Sequence, residues 1–193
     1  EAQAGNVDAA NKLLTLTMTN PEAIDTSVAD TLAQSESLTE PQRNAMRLFS
    51  EAQVAANALK GMSGVRSDIA TGGQGFKGIS QYRNALRMAL ANGNEDAARS
   101  QVDGIRKFAA SQASKLDAIT TAYEQVKGTQ DKVNIVRNAQ GEWGPTDLQG
   151  KALKEAGGLT VDARSFKLRD GVAAEADVLA KTAAAFQALV DAN

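Results

Sequence analysis

From Asn94 to Gly128 the apolar residues fall at alternating spacings of three and four. Ala98, Val102, Ile105 and Ala109 are followed by Gln112, and then by Leu116, Ile119, Tyr123 and Val126. This spacing predicts one long helix over 94–127, packed lengthwise against other helices along a single seam. Asn94 suits the N-cap, Glu95 and Asp96 suit the positive first turn, and Gly128 suits the position after the C-cap. At ~1.5 Å per residue the helix is about 50 Å long. The same 4-3-4-3 pattern returns near the C-terminal end, where Val172, Ala176, Leu179, Ala183, Phe186 and Val190 define a helix over 172–193 that follows an Asp170-Gly171 turn. A shared period and alanine-rich inner faces predict that these two helices lie against each other.

The remaining segments read as shorter helices. Asn6 caps a first helix with Val7, Ala10, Leu14 and Met18 on its stripe, and Asn20-Pro21-Glu22 restarts the chain into a second with Ile24, Val28 and Leu32. Thr39-Glu40-Pro41-Gln42 is a capping-box pattern opening a third helix, whose inner face is Ala45, Met46, Phe49, Ala52, Ala56 and Leu59 and which stops at Gly61. Residues 61–78 are glycine-rich and predict an irregular loop, with 72–78 the most mobile internal stretch. Ile79, Tyr82, Leu86, Ala89 and Leu90 form the next helix, joined to the long one by a turn at Asn92-Gly93-Asn94. Gly5–Ala10 and Gly93–Ala98 echo each other, as two helices that start after a tight turn would.

After Gly128 the texture changes. Val133, Ile135, Val136, a turn at Gly141 and Trp143 fit a small hairpin, while the residues up to Ala139 equally fit an extended helix. Thr146 and Gln149 form a second capping-box pattern for a short helix through Ala156, and 159–168 alternates as a strand would. The fold expected is therefore mainly all-α: an elongated antiparallel helical bundle around the long helix, with a small β-hairpin within 133–168 as the place for strand. Its expected parts are a bundle over 1–128, an irregular insert over 129–171 and a C-terminal helix over 172–193.

Composition narrows the chemistry. The chain has 193 residues, no Cys and no His, and aromatics make up only 4% of it, so its core must be built from small side chains. Imidazole bases, thiolate nucleophiles and histidine or cysteine metal ligands are excluded. The close carboxylates, Glu95 with Asp96, Asp8, and Glu175 with Asp177, sit early in expected helices, where the dipole alone favours acids. No enzyme site and no cofactor is expected within the chain. No apolar run is long enough to span a membrane. The chain opens on Glu1 rather than Met, and Ala4-Gly5 reads as the end of a preceding turn, so it is expected to be the ordered part of something longer.

Charge is distributed unevenly. Residues 1–40 carry seven acids against Lys12 alone, whereas 60–115 is basic. One reading packs the acidic stretch near the basic one; the other puts a phosphate-rich partner on the basic stretch. In the second case Lys77, Arg83 and Arg87 are the candidate contacts, since Arg83 and Arg87 are four apart and share a helical face. The run Gly73-Gln74-Gly75-Phe76-Lys77-Gly78 spells G-x-G-x-x-G, but the preceding 65–70 is too short and polar for the buried strand that a dinucleotide fingerprint needs. Trp143 is a candidate interface anchor or a local plug. Gln112, the single polar residue on the long seam, is either exposed beyond its neighbour or buried with a partner that fixes register. In the first case Gln112→Leu is tolerated; a loss above about 2 kcal/mol marks the second.

The alanine-rich helices and the stretch from Tyr82 to Leu116 (YRNALRMALANGNEDAARSQVDGIRKFAASQASKL) resemble helical segments of large phage proteins, the internal virion or ejection proteins of tailed phages and the polyvalent proteins of phages and plasmids. The resemblance is one of texture and carries over no functional residue. It implies a structural segment that accompanies DNA into a cell, located in a virion or the bacterial cytoplasm. Three functions follow: a non-enzymatic structural or interaction module with protein partners or self-assembly, a helical domain that binds a ligand or protein, and a module that touches nucleic acid non-specifically through 60–115.

Overall fold

The computed structural model describes residues 26–36, 38–62 and 74–192. The helix from Asn6, the Asn20-Pro21-Glu22 restart, most of the glycine-rich loop and most of the acidic first forty residues lie outside them. Among the described residues there are six helices and three strands: α1 Thr26–Ala33, α2 Glu40–Gly61, α3 Gln74–Ala91, α4 Glu95–Val126, β1 Val133–Arg137, β2 Trp143–Thr146, α5 Gly150–Glu155, β3 Leu159–Val161 and α6 Phe166–Ala192. The mainly helical bundle expected from the spacing is observed. No helix among them is long and apolar enough to cross a membrane.

The start and stop signals act as their chemistry requires. Thr39 closes a full capping box: its side chain accepts the Gln42 N–H at 3.4 Å, and the Gln42 side chain accepts the Thr39 N–H at 3.0 Å. Thr39→Ala is expected to cost about 1 kcal/mol, read as a shift in the urea midpoint with an unchanged slope. Gly93, at φ +64, ends α3 in a Schellman turn. Its N–H reaches the Leu90 carbonyl, and the Asn94 N–H reaches the Ala89 carbonyl. Asn94 then caps α4 by accepting the Ala97 N–H at 3.0 Å, so one residue ends one helix and starts the next.

Two starts differ from expectation. The last helix begins at Phe166, not at Val172, and the strand expected over 159–168 is confined to Leu159–Val161. The cause is a turn at Asp162, whose Oδ1 accepts the Arg164 N–H while its carbonyl accepts the Ser165 N–H. That turn launches the helix, and Gly171 becomes a buried position inside it. Hydrogen bonds from Arg164 and Ser165 hold the Asp162 carboxyl below its ordinary pKa. The second difference is at Thr146, which lies in β2 and accepts the Leu148 N–H instead of capping α5. The α5 N-cap, Gln149, makes no side-chain capping bond.

The bundle is organised around α6. It packs on α2 along one side and on α4 along another, while α1 covers α2 and α3 covers α4. Two apolar stripes serve these two contacts, with Val178, Ala185, Ala188 and Leu189 buried alongside Leu179, Ala183 and Phe186. Alanines at Ala45, Ala98 and Ala185 are fully buried, so small side chains do line the helix contacts.

Beside the C-terminal half of α4 lies an antiparallel sheet in the order β2-β1-β3. The hairpin reading of 133–144 prevails over the helical one. Val133, Ile135 and Val136 are β-branched, and Gly141 at φ +85 closes a three-residue turn in which the Asn138 N–H donates to the Glu142 carbonyl at 2.8 Å. Pro145 is tolerated because β2 is an edge strand. Ile135 and Val161 bury against Ile119, Ala122 and Val126 of α4 and Val172 of α6, forming a second core.

Candidate functional site

The two cores meet at a polar layer. On α4 the first core ends at Phe108 and Ala109 and the second begins at Leu116; on α6 Val172 belongs to the second core, and Ala174 and Val178 to the first. Gln112 and Glu175 occupy that boundary, and the Gln112 Nε2–H donates to Glu175 Oε2. Glu175 is only 8% exposed. The alternative in which Gln112 is exposed beyond its neighbour is thereby removed. Glu175, expected in an early helical turn on dipole grounds, lies in the third turn of α6 because that helix starts sooner. Its place in the seam, three after Val172 and four before Leu179, was the available signal.

The small residues around Gln112 admit another backbone, and the backbone that arrives is the β-hairpin. Ser111 Oγ–H donates to the Gly141 carbonyl at 2.8 Å, and the Trp143 N–H donates to Ser114 Oγ at 2.9 Å. Trp143 is half-buried against the second core, with the Lys115 ammonium 5.1 Å from its ring centroid. Its neighbours place it between hairpin and helix.

The basic candidates are dispersed. Arg83 and Arg87 do lie one turn apart on α3, but both are half-buried and their Nε atoms are covered by protein. Lys77 is in the first turn of α3, and its side chain lies outside the described residues. The helix begins at Gln74, so the expected loop is helical over its last residues. Gly78 in its second turn lies against the Phe108 ring of α4, which a Cβ there would meet at an ordinary contact distance of 3.4 Å. Farther along, Arg99 pairs with Glu95 at 2.5 Å and Arg106 with Asp103 at 3.8 Å. The described part of the acidic stretch packs on α2, where Ser50 Oγ–H donates to Asp30 at 2.7 Å.

Glycines within helices carried information that the spacing did not. At Gly104 a Cβ would stand 2.3 Å from the Tyr82 ring, so the ring edge lies directly on the α4 backbone. Tyr82 on Gly104 and Phe108 on Gly78 are reciprocal contacts that lock α3 to α4. Among the described residues, no group of three or more acidic side chains is placed to hold a metal ion.

The chain stands without a match. Compared with known proteins, it matches no family model, no curated protein and no solved structure.

Proposed function

We propose that the chain is a non-enzymatic structural module, a helical strut that holds neighbouring segments at a fixed separation within a larger phage virion protein of the ejection type or a mobile-element protein. The phage assignment rests on the resemblance of the alanine-rich hairpin. The strut reading rests on one observation: α6 is buried along two sides, and the Gln112–Glu175 layer sets its register against α4. A polar pair in an apolar seam resists sliding, because every shifted register would bury both groups without each other. The hairpin clamp at Ser111 and Ser114 stiffens the second half of α4.

The absence of cysteine makes this testable. In an Asp96→Cys/Gln125→Cys variant, donor and acceptor dyes would sit about 44 Å apart, 29 residues along α4 at ~1.5 Å per residue. Single-molecule energy transfer is expected to give one narrow population, unchanged until global unfolding in urea. A broad distribution would contradict a strut. A population that shifts with a small molecule would favour a ligand-binding domain instead.

A further inference from the structure

The tip of the β1–β2 hairpin stands beside the α3–α4 pair, and between them runs an open groove of about 810 Å³. That volume lies within the ~300–1,000 Å³ of sites that take ligands. Tyr82 and Phe108, each held by its glycine contact and each half-buried, contribute ring surface to it. Lys107 and Arg137 supply positive charge, Gln101 and Gln140 supply amides, and among the described residues no carboxylate lines it.

Both cations are available. Among the described residues neither Lys107 nor Arg137 has a carboxylate within 4.0 Å, whereas Arg99 and Arg106 of the same helix are paired. The strand register explains where Arg137 goes. It is paired with Trp143 across β1 and β2 and alternates onto the same sheet face as Ile135, the face turned toward α4. Being two pairs closer to the turn than Ile135, it reaches beyond the second core into the groove.

We propose that this groove holds a short stretch of single-stranded nucleic acid. Two unpaired cations fit two backbone phosphates, ring surface fits a base face, and side-chain amides fit base edges. An acidic peptide would satisfy the cations and leave the rings and amides without a role. Walls on two sides suit one strand better than a duplex. Chain order hides the arrangement, because it brings together α3, α4 and the hairpin; Arg83 and Arg87 do not line it. The proposal is independent of the strut reading, and the dye-pair experiment above does not bear on it.

The test is fluorescence anisotropy of a labelled twelve-nucleotide oligo-dT at about 50 mM salt. Binding is expected in the ~10⁻⁴–10⁻⁶ M range of non-specific contacts. Lys107→Glu/Arg137→Glu should weaken it more than ~10-fold and flatten the salt slope by roughly 1.4, at ~0.7 per phosphate contact on a single strand. Lys151→Glu/Lys154→Glu, an equal change of charge on exposed α5 residues, should leave affinity within about twofold. Tyr82→Leu, with its circular dichroism and melting checked, should weaken binding several-fold through lost stacking, worth ~1–3 kcal/mol per base. The proposal is overturned by no binding at about 100 µM protein or by equal losses in the two charge-reversed variants. Unchanged affinity in Tyr82→Leu, or displacement by poly-glutamate as effective as by unlabelled oligo-dT, would overturn it equally.

Discussion

Gln112→Leu is expected to destabilise the protein by about 3 kcal/mol, although it replaces a polar residue by an apolar one in an apolar seam. Gln112 is the amide that faces the buried Glu175 carboxylate across the boundary between the two cores. A hydrogen bond to a charged group contributes ~1.5–3 kcal/mol, and in a buried layer of low dielectric its loss is not made up by water. The gain from burying a leucine, at most ~1.5–3 kcal/mol, does not compensate fully because the site is already half-covered and shaped for an amide. The double variant Gln112→Leu/Glu175→Leu removes both ends of this hydrogen bond together. It should recover most of the loss and can exceed the parent, as replacing a buried polar pair by packed apolar residues often does. Urea denaturation of the two single variants and the double one gives the coupling directly. If Gln112→Leu changed stability by less than about 1 kcal/mol, the layer would not be fixing register. A double variant as stable as the parent that also broadened the dye-pair population would assign the layer to specificity rather than to stability.

A second large effect is expected at the end of α5, where two adjacent glycines are required for different reasons. Gly157 sits at φ +72 with nothing near its missing Cβ, so Gly157→Ala should cost about 1–2 kcal/mol of backbone strain. Gly158 has no such backbone demand, but a Cβ there would lie 2.4 Å from Leu153 Cδ1 and 2.8 Å from both Leu153 Cγ and Val136 Cγ1. Leu153 is 2% exposed and cannot swing away, and Val136 belongs to the central strand of the sheet. Gly158→Ala should therefore cost about 3 kcal/mol by overpacking, the upper part of the usual range. Comparing the two midpoints checks the assignment: a larger loss at Gly157 than at Gly158 would mean that conformation, not contact, governs this corner.

The helical architecture was legible because its signals are local. Asn94, Thr39, Gly93 and Gly128 are punctuation that reads the same in any context, and the α4 seam is long enough for its period to be unambiguous. What the sequence obscured is tertiary. A single stripe was visible on α6, where Leu179, Ala183 and Phe186 keep step. Burial of Val178, Ala185 and Leu189 as well blurs the period, and it becomes intelligible only once α6 is seen packed on both α2 and α4. The start of α6 was misplaced because Asp170-Gly171 is the stronger turn signal in isolation, whereas the Asp162 turn depends on side-chain hydrogen bonds to Arg164 and Ser165. The partner of Gln112 lies on another helix, beyond the sheet, where no local pattern points. Lys107 and Arg137 were unremarkable for the same reason: what distinguishes them is the company of Tyr82 and Phe108 on one groove.

Burial of α6 on two sides has a consequence for how the chain is made. The α3–α4 hairpin closes through a tight turn and can form as soon as its own residues are available. α2 cannot do so: Met46, Phe49 and Leu59 are sealed by a helix beginning at Phe166, more than a hundred residues later. During synthesis at ~5–20 residues per second, the apolar face of α2 therefore stays uncovered for several seconds after it leaves the ribosome. For that interval it is the face most open to a chaperone or to another nascent chain. Completion of the bundle is in effect a ribosome-timed event, decided when the residues of α6 emerge.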